Sequence, residues 1–343
     1  MTDNIISRGV TEVKYAESRV EKYFRETYAK KWDEKKKAAR EMAGKLLQIG
    51  EYKRAGRMVM CSQVVRMEVC QNCGTSHLLY SNLCRDRVCP ICKWRLSMKR
   101  FATMVNIVES LRRAYPEAAW QFVTLTCENC RPSEIDAVLD EMARAWNCIT
   151  SNPEFKRRIA GFARSTEITY NAEKGTLHPH YHILVMYEEL QEPTLYIVDK
   201  WRRGLRRRTA WEAQNAEPIT WTVSDEREIG WAVDQNPEDE AAIEAILETF
   251  KYSTKDSDLD EMPLGVFRSV VDAIAKRRLV SFGGKVKEYA QLLQAGELND
   301  AGEEDQAELE TSIDLCVHCR SRDLVEVVGT WAGGTYNWRR AED

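Results

Sequence analysis

The sequence predicts an α+β protein. It has a central antiparallel sheet flanked by helices, a zinc-ribbon-like unit before that sheet, and helical N- and C-terminal regions. Three observations carry this expectation. GFARSTEITYN (161–171) and TLHPHYHILVMY (176–187) are rich in β-branched and aromatic residues and meet at NAEKG, which reads as a hairpin. Residues 133–149 place Ile135, Val138, Leu139, Met142 and Trp146 at helical spacing after Pro132 and Ser133. Residues 61–100 gather cysteines in C-x-x-C pairs.

Composition narrows the class. A chain of 343 residues with 43% hydrophobic residues can bury two or three cores. Its 54 acidic residues outnumber 50 basic ones, for a net charge of −4, so it lacks the balance of a protein that coats nucleic acid. Contact with nucleic acid must then come from local basic clusters. MTDNIISRGV has no apolar signal-peptide core, and no run of 18 apolar residues suggests a membrane span. A cytoplasmic protein is expected, and in that compartment 11 cysteines point to metal before disulfides.

Taken in order, residues 1–60 form a helical N-terminal region in which the run Lys30–Lys37 reads as a solvated face. Residues 61–100 form the cysteine-rich unit, and a basic helix leads from it towards Pro116. WQFVTLT (120–126) reads as a buried strand. The hairpin strands follow, then a basic helix over 199–212, a strand PITWTV (218–223) and an acidic helix over 225–248 that runs into ILETFKYSTK. Residues 101–260 are expected to form the central domain. Residues 261–343 are expected to form a helical C-terminal region with an acidic linker (297–310) and the pair Cys316/Cys319.

Of five histidines, His178, His180 and His182 alternate along one predicted strand. Alternate residues of a strand share a face, so two imidazoles there can chelate one divalent ion. A third ligand should come from the paired strand, where Glu167 is the candidate; His178, on the same strand as the other two, is the competing choice. A carboxylate beside two imidazoles favours Mg or Mn. Further on, Glu248, Tyr252 and Lys255 fall at i, i+4 and i+7 of a predicted helix and share a polar face.

FVTLT (122–126), HYHILV (180–185) and KYSTK (251–255) occur in that order, and with CRDRVCPICKWR (84–95) the chain resembles the HUH endonuclease superfamily. More closely, it resembles the single-tyrosine initiators of rolling-circle plasmid replication. The resemblance spans roughly 61–255 and implies an HUH endonuclease core. It implies that His180 and His182 hold the catalytic metal and that Tyr252 is the nucleophile. It also implies that Glu248 activates a second nucleophile at termination and that Lys255 lies beside the phosphate. The implied activity is origin-specific nicking and rejoining of single-stranded DNA through a 5′-phosphotyrosine, leaving a 3′-OH primer. The motif does not fix the third ligand.

Cys70/Cys73 and Cys89/Cys92 are separated by 15 residues, a zinc-ribbon spacing for four thiolates, with Cys84 as an alternative ligand. Cys127/Cys130 read as incidental, and Cys316/Cys319 as half of a second site whose partners sequence does not name. Between 85 and 100, six basic residues (Arg85, Arg87, Lys93, Arg95, Lys99, Arg100) face one acid, Asp86. KWRRGLRRR (200–208) supplies Arg202, Arg203, Arg206, Arg207 and Arg208, with Trp201 and Trp211 as indoles able to stack an unpaired base. The expected partner is DNA, as a single-stranded nick site and an origin duplex. No P-loop motif is present, so a host helicase would do the unwinding, and a homodimer remains open. Two alternatives stand beside this reading: a related HUH transposase or relaxase, and a non-catalytic zinc-ribbon nucleic-acid binder.

Overall fold

The computed structural model describes residues 19–187, 193–205, 218–219, 256–275, 277–292, 308–309, 315–316 and 319–341. Its strands are β1 (Val64–Cys70), β2 (Ser76–Ser81), β3 (Ala119–Thr126), β4 (Gly161–Asn171), β5 (Thr176–Tyr187), β6 (Pro218–Ile219), β7 (Val280–Gly283), β8 (Glu308–Leu309), β9 (Leu324–Ala332) and β10 (Thr335–Arg340). Its α-helices are α1 (Arg19–Phe24), α2 (Lys30–Gln48), α3 (Tyr52–Met60), α4 (Pro90–Ala114), α5 (Ile135–Ser151), α6 (Pro153–Arg158), α7 (Pro193–Gly204), α8 (Asp256–Glu261), α9 (Leu264–Ala275) and α10 (Gly284–Leu292). Among the described residues no helix is long and apolar enough to cross a membrane.

The chain is α+β and divides into two compact units, neither of them continuous in sequence. One comprises Met1–Lys37, Cys61–Leu83 and Gln306–Asp343, the other Ala38–Met60 and Cys84–Asp305. This differs from the contiguous division 1–60, 61–100, 101–260 and 261–343. The reason is strand pairing over long range: β9 lies antiparallel to β1, with Cys70 opposite Leu324.

The larger unit is built on an antiparallel sheet in the order β6-β3-β5-β4-β7. The β4–β5 hairpin closes where expected: the Asn171 carboxamide oxygen accepts from the Lys174 N–H at 2.9 Å, and Gly175 takes a positive φ of 61°. Register then sets the faces. Trp120 and Phe122 of β3 lie opposite Met186 and Leu184 of β5, and Ala163 of β4 lies opposite Leu184. Of these, Trp120, Ala163, Leu184 and Met186 pack against Met104, Ile107, Val108 and Leu111 of α4 and Val286 and Ala290 of α10. Burying a side chain the size of Leu184 or Met186 stabilises the fold by about 1.5–3 kcal/mol. On the opposite face, Trp146 of α5 meets Phe162 at 5.1 Å and Tyr181 at 6.5 Å between ring centroids. β5 thus packs against α4 and α10 on one face and α5 on the other, which fixes the strand that carries the histidines.

The smaller unit is a sheet in the order β10-β9-β1-β2-β8. The region 261–343, expected to be helical, holds α9 and α10 but ends in the β9–β10 hairpin. Gly333 and Gly334 both take positive φ (63° and 88°) at its tip, as a two-residue primed turn requires. The Asp33 carboxylate ties the hairpin to α2, accepting from Thr335 Oγ1 and Tyr336 N at 2.6 Å each. The Lys30–Lys37 run is not uniformly solvated: Lys36 is fully buried, and its ammonium donates to the Cys61 carbonyl. A buried ammonium retains its charge only with such acceptors in reach.

Candidate metal centre and nucleic-acid interface

β5 pairs with β3 on one side and β4 on the other, and this determines what surrounds the histidines. His180 lies opposite Glu167 on β4 and Thr126 on β3, while His182 lies opposite Ser165 and Thr124. Directly opposed strand residues share a face, so the Glu167 carboxylate projects among the two imidazoles. Glu167 Oε2 lies 3.1 Å from His180 Nε2 and 2.9 Å from His182 Nε2. All three side chains are buried, and their ligand atoms lie within 4.8 Å of one another.

The outer ring nitrogens are held in turn. His180 Nδ1–H donates to the His178 carbonyl at 3.2 Å, and His182 Nδ1 pairs with Thr124 Oγ1 at 3.2 Å. Phe122 stacks on the His182 ring at 5.4 Å and 19°. When each Nδ1 carries its ring's proton, both Nε2 atoms present lone pairs to a carboxylate that also offers only lone pairs. Acceptors meeting acceptors at 2.9–3.1 Å require a cation between them, either protons on the imidazoles or a metal ion. Burial alone would raise the Glu167 pKa, but hydrogen bonds and charge from His180 and His182 hold it well below the usual carboxylate range. The donor set therefore fits a divalent ion held by two imidazoles and one carboxylate.

The structure brings Glu167, and not His178, together with His180 and His182. The His178 Nδ1 pairs instead with Asn129 Oδ1 at 2.7 Å. Burial, and then the neighbouring His180, lower the His178 imidazole pKa below its usual value. Sequence reasoning did not identify Thr124, Phe122 or Asn129 as supporting residues. The first two lie in FVTLT, where the antiparallel pairing puts alternate residues on the histidine face.

The cysteines group differently from the expected set Cys70, Cys73, Cys89 and Cys92. Cys70 and Cys73 converge with Cys316 and Cys319, all four sulfurs lying within 4.8 Å. Cys84, Cys89 and Cys92 meet separately in the larger unit, with Cys84 Sγ 3.6 Å from Cys92 Sγ. The cause is local geometry: Cys70 and Cys73 sit at the β1–β2 turn beside the start of β9, whereas Cys89 caps the N-terminus of α4. Cys127 and Cys130 belong to neither group. Cys127 is buried with its thiol directed at the Pro179 carbonyl, 3.4 Å away, and burial pushes the Cys130 thiol up to about 12.

Of the expected DNA-contacting arginines, Arg202 and Arg203 are exposed at the end of α7, and Arg203 also pairs with Asp199 at 3.0 Å. Trp201 is not free to stack a base. It is fully buried, lies 5.5 Å from the Tyr181 ring, and donates Nε1–H to the Thr126 carbonyl at 2.9 Å. Several basic residues of 85–100 serve the fold instead: Arg87 donates to the Ile274 and Arg277 carbonyls behind α9, and Lys93 and Arg100 are buried. Arg206, Arg207, Arg208, Trp211, Glu248, Tyr252 and Lys255 lie outside the described residues.

Comparison with known proteins shows the family. A family model described as "Replication protein" matches residues 75–323. "Protein rep" of a Bacillus species is 28% identical over 263 residues, covering 72% of this chain and 83% of that protein. "Protein rep" of Bacillus amyloliquefaciens is 28% identical over 301 residues, covering 83% and 84%. "Replication protein" of Staphylococcus aureus is 24% identical over 248 residues, covering 71% and 97%. No solved structure matches the chain. With a matched span that takes in the histidine strand, both its partner strands and the C-x-x-C pair of the C-terminal region, the chain belongs to the replication-protein family, the Rep initiators of rolling-circle plasmids.

Proposed function

We propose that this protein starts rolling-circle replication of a plasmid by nicking one DNA strand at the origin, with Tyr252 as nucleophile and an HUH-type core as the scaffold. The observation that carries the reading is the convergence of Glu167, His180 and His182 on the β4–β5 hairpin beside FVTLT, in a chain of the replication-protein family. A divalent ion held there, Mn or Mg, would withdraw charge from a non-bridging phosphate oxygen and ease attack on the phosphorus.

The remaining steps belong to side chains. Tyrosine ionises near pH 10 in water, and the charge of Lys255 favours the phenolate. The Tyr252 oxygen forms a bond to phosphorus as the bond to the 3′ oxygen breaks. The leaving oxygen takes a proton and becomes a 3′-OH that can prime synthesis. The strand's 5′ phosphate stays on the tyrosine, which keeps the step reversible and allows rejoining. At the end of a round, Glu248 deprotonates water, and hydrolysis releases the enzyme.

One contact bears on reach. Asp258, six residues after Tyr252, accepts from the Tyr170 N–H at 3.2 Å, and Tyr170 lies on β4, the strand of Glu167. The chain is thus fixed against the strand of Glu167 six residues after Tyr252. Lys45 reinforces this anchor, donating to the carbonyls of Leu259, Asp260 and Met262. DNA is the partner, approached in part by Arg202 and Arg203, and a host helicase supplies unwinding.

The test is incubation with a single-stranded origin oligonucleotide and Mn, followed by a denaturing gel. A protein–DNA adduct that forms with the wild type and disappears in Tyr252→Phe, with binding retained, is the expected result. Adducts at wild-type level in Tyr252→Phe would remove that residue from its role. Cleavage in neither protein would favour a non-catalytic nucleic-acid binder.

A further inference from the structure

The smaller unit contains a cluster that nicking chemistry does not use. Two C-x-x-C pairs, far apart in sequence, share the same flanking backbone hydrogen bonds. In the first, the Gly74 N–H donates to the Cys70 carbonyl at 2.8 Å and the Cys70 N–H to the Thr75 carbonyl at 2.9 Å. In the second, the Arg320 N–H donates to the Cys316 carbonyl at 2.9 Å and the Cys316 N–H to the Ser321 carbonyl at 2.8 Å. Each second cysteine is followed by a residue in the left-handed region, Gly74 at φ 77° and Arg320 at φ 58°. An arginine there is strained unless the loop requires it. Two residues beyond each second cysteine, a backbone N–H faces its sulfur: Thr75 for Cys73 and Ser321 for Cys319.

The sulfurs pair across the loops. Cys70 Sγ lies 3.5 Å from Cys319 Sγ, and Cys73 Sγ lies 3.6 Å from Cys316 Sγ. A tetrahedron of sulfurs about a metal at roughly 2.3 Å has edges of about 3.8 Å. The cluster therefore already has close to the size of a four-thiolate site. Backbone N–H groups turned towards sulfur also suit metal-bound thiolates.

We propose that Cys70, Cys73, Cys316 and Cys319 bind one zinc ion, which clamps the C-terminal β9–β10 hairpin to the β1–β2 hairpin. The four thiols lose their protons to solvent as four Zn–S bonds form. The ion closes a loop whose ends, Cys70 and Cys319, are 249 residues apart. This site does not depend on the nicking reading, because it shares no residue with the Glu167, His180 and His182 group.

The experiment uses the full chain. Elemental analysis of the wild type and of the Cys316→Ser/Cys319→Ser double variant should differ by one zinc equivalent per chain. Cobalt in place of zinc should give the charge-transfer and visible bands of a tetrahedral thiolate set, reduced in the double variant. If that variant fails to fold, alkylation mass spectrometry on the wild type decides. Cys70, Cys73, Cys316 and Cys319 should be protected in the metal-loaded protein and become labelled together on chelation, with exposed Cys148 labelled in both states. Equal zinc content in the two proteins, iron in place of zinc, or labelling of Cys316 and Cys319 at the rate of Cys148 before chelation would each overturn the assignment.

Discussion

His180 stands directly opposite Glu167 across the β4–β5 ladder, with Nε2 3.1 Å from Oε2. Its other nitrogen is already committed to the His178 carbonyl, so the imidazole meets the carboxylate lone pair to lone pair unless a cation intervenes. Glu167→Gln keeps the size and removes the charge. Metal-dependent nicking of a single-stranded oligonucleotide should then fall by more than the roughly 10- to 100-fold typical of a residue that only supports a ligand. Activity within threefold of wild type would take Glu167 out of the ligand set.

Thr124 acts one step further out, holding His182 through Nδ1. Thr124→Val preserves shape and removes the hydroxyl, so Mn affinity measured calorimetrically should weaken about tenfold while the melting temperature stays close to wild type. A large loss of stability with unchanged affinity would assign Thr124 to the fold alone.

Residues adjacent in the basic run should separate cleanly. Trp201→Ala removes a fully buried indole and its bond to Thr126, and should cost about 3–5 kcal/mol in denaturant unfolding. Arg202→Ala/Arg203→Ala should leave stability nearly unchanged. It should lower the salt dependence of single-strand binding by about 0.7 in log–log slope for each lost phosphate contact. An unchanged slope would place the DNA path elsewhere.

The Cys130 thiol carries a pH signature. Burial raises it from the ordinary 9.0 to about 12, so the folded state keeps a proton that the unfolded chain releases first. Its contribution is fully present below about pH 9 and is lost as pH rises towards 12. Denaturant unfolding across that range should therefore show a smaller alkaline loss in Cys130→Ala than in the wild type. Parallel pH curves would rule out this thiol as a source.

Much of the larger unit was legible because its signals are local. Period-two alternation put His180 and His182 on one face, the hairpin brought Glu167 beside them, and Ile135 to Trp146 marked the buried stripe of α5. The cysteine partners were not legible. A C-x-x-C pair specifies a loop but not its mate, and Cys316 meets Cys73 only because β9 crosses most of the chain to lie on β1. Trp201 was misread since a single indole inside a cationic run gives no hint that its helix turns one edge inward. The β9–β10 hairpin did carry a readable sign, the Gly333-Gly334 pair between β-branched and aromatic residues.

The β1–β9 pairing also sets an order of events during synthesis. β1 leaves the ribosome long before its neighbour exists, and Cys70 is separated from Cys319 by 249 residues. At about 5–20 residues per second, translation leaves that edge waiting for roughly 12–50 s. A chain interrupted before Leu324 leaves β1 without that neighbour, so the smaller unit can be completed only after β9 has been made.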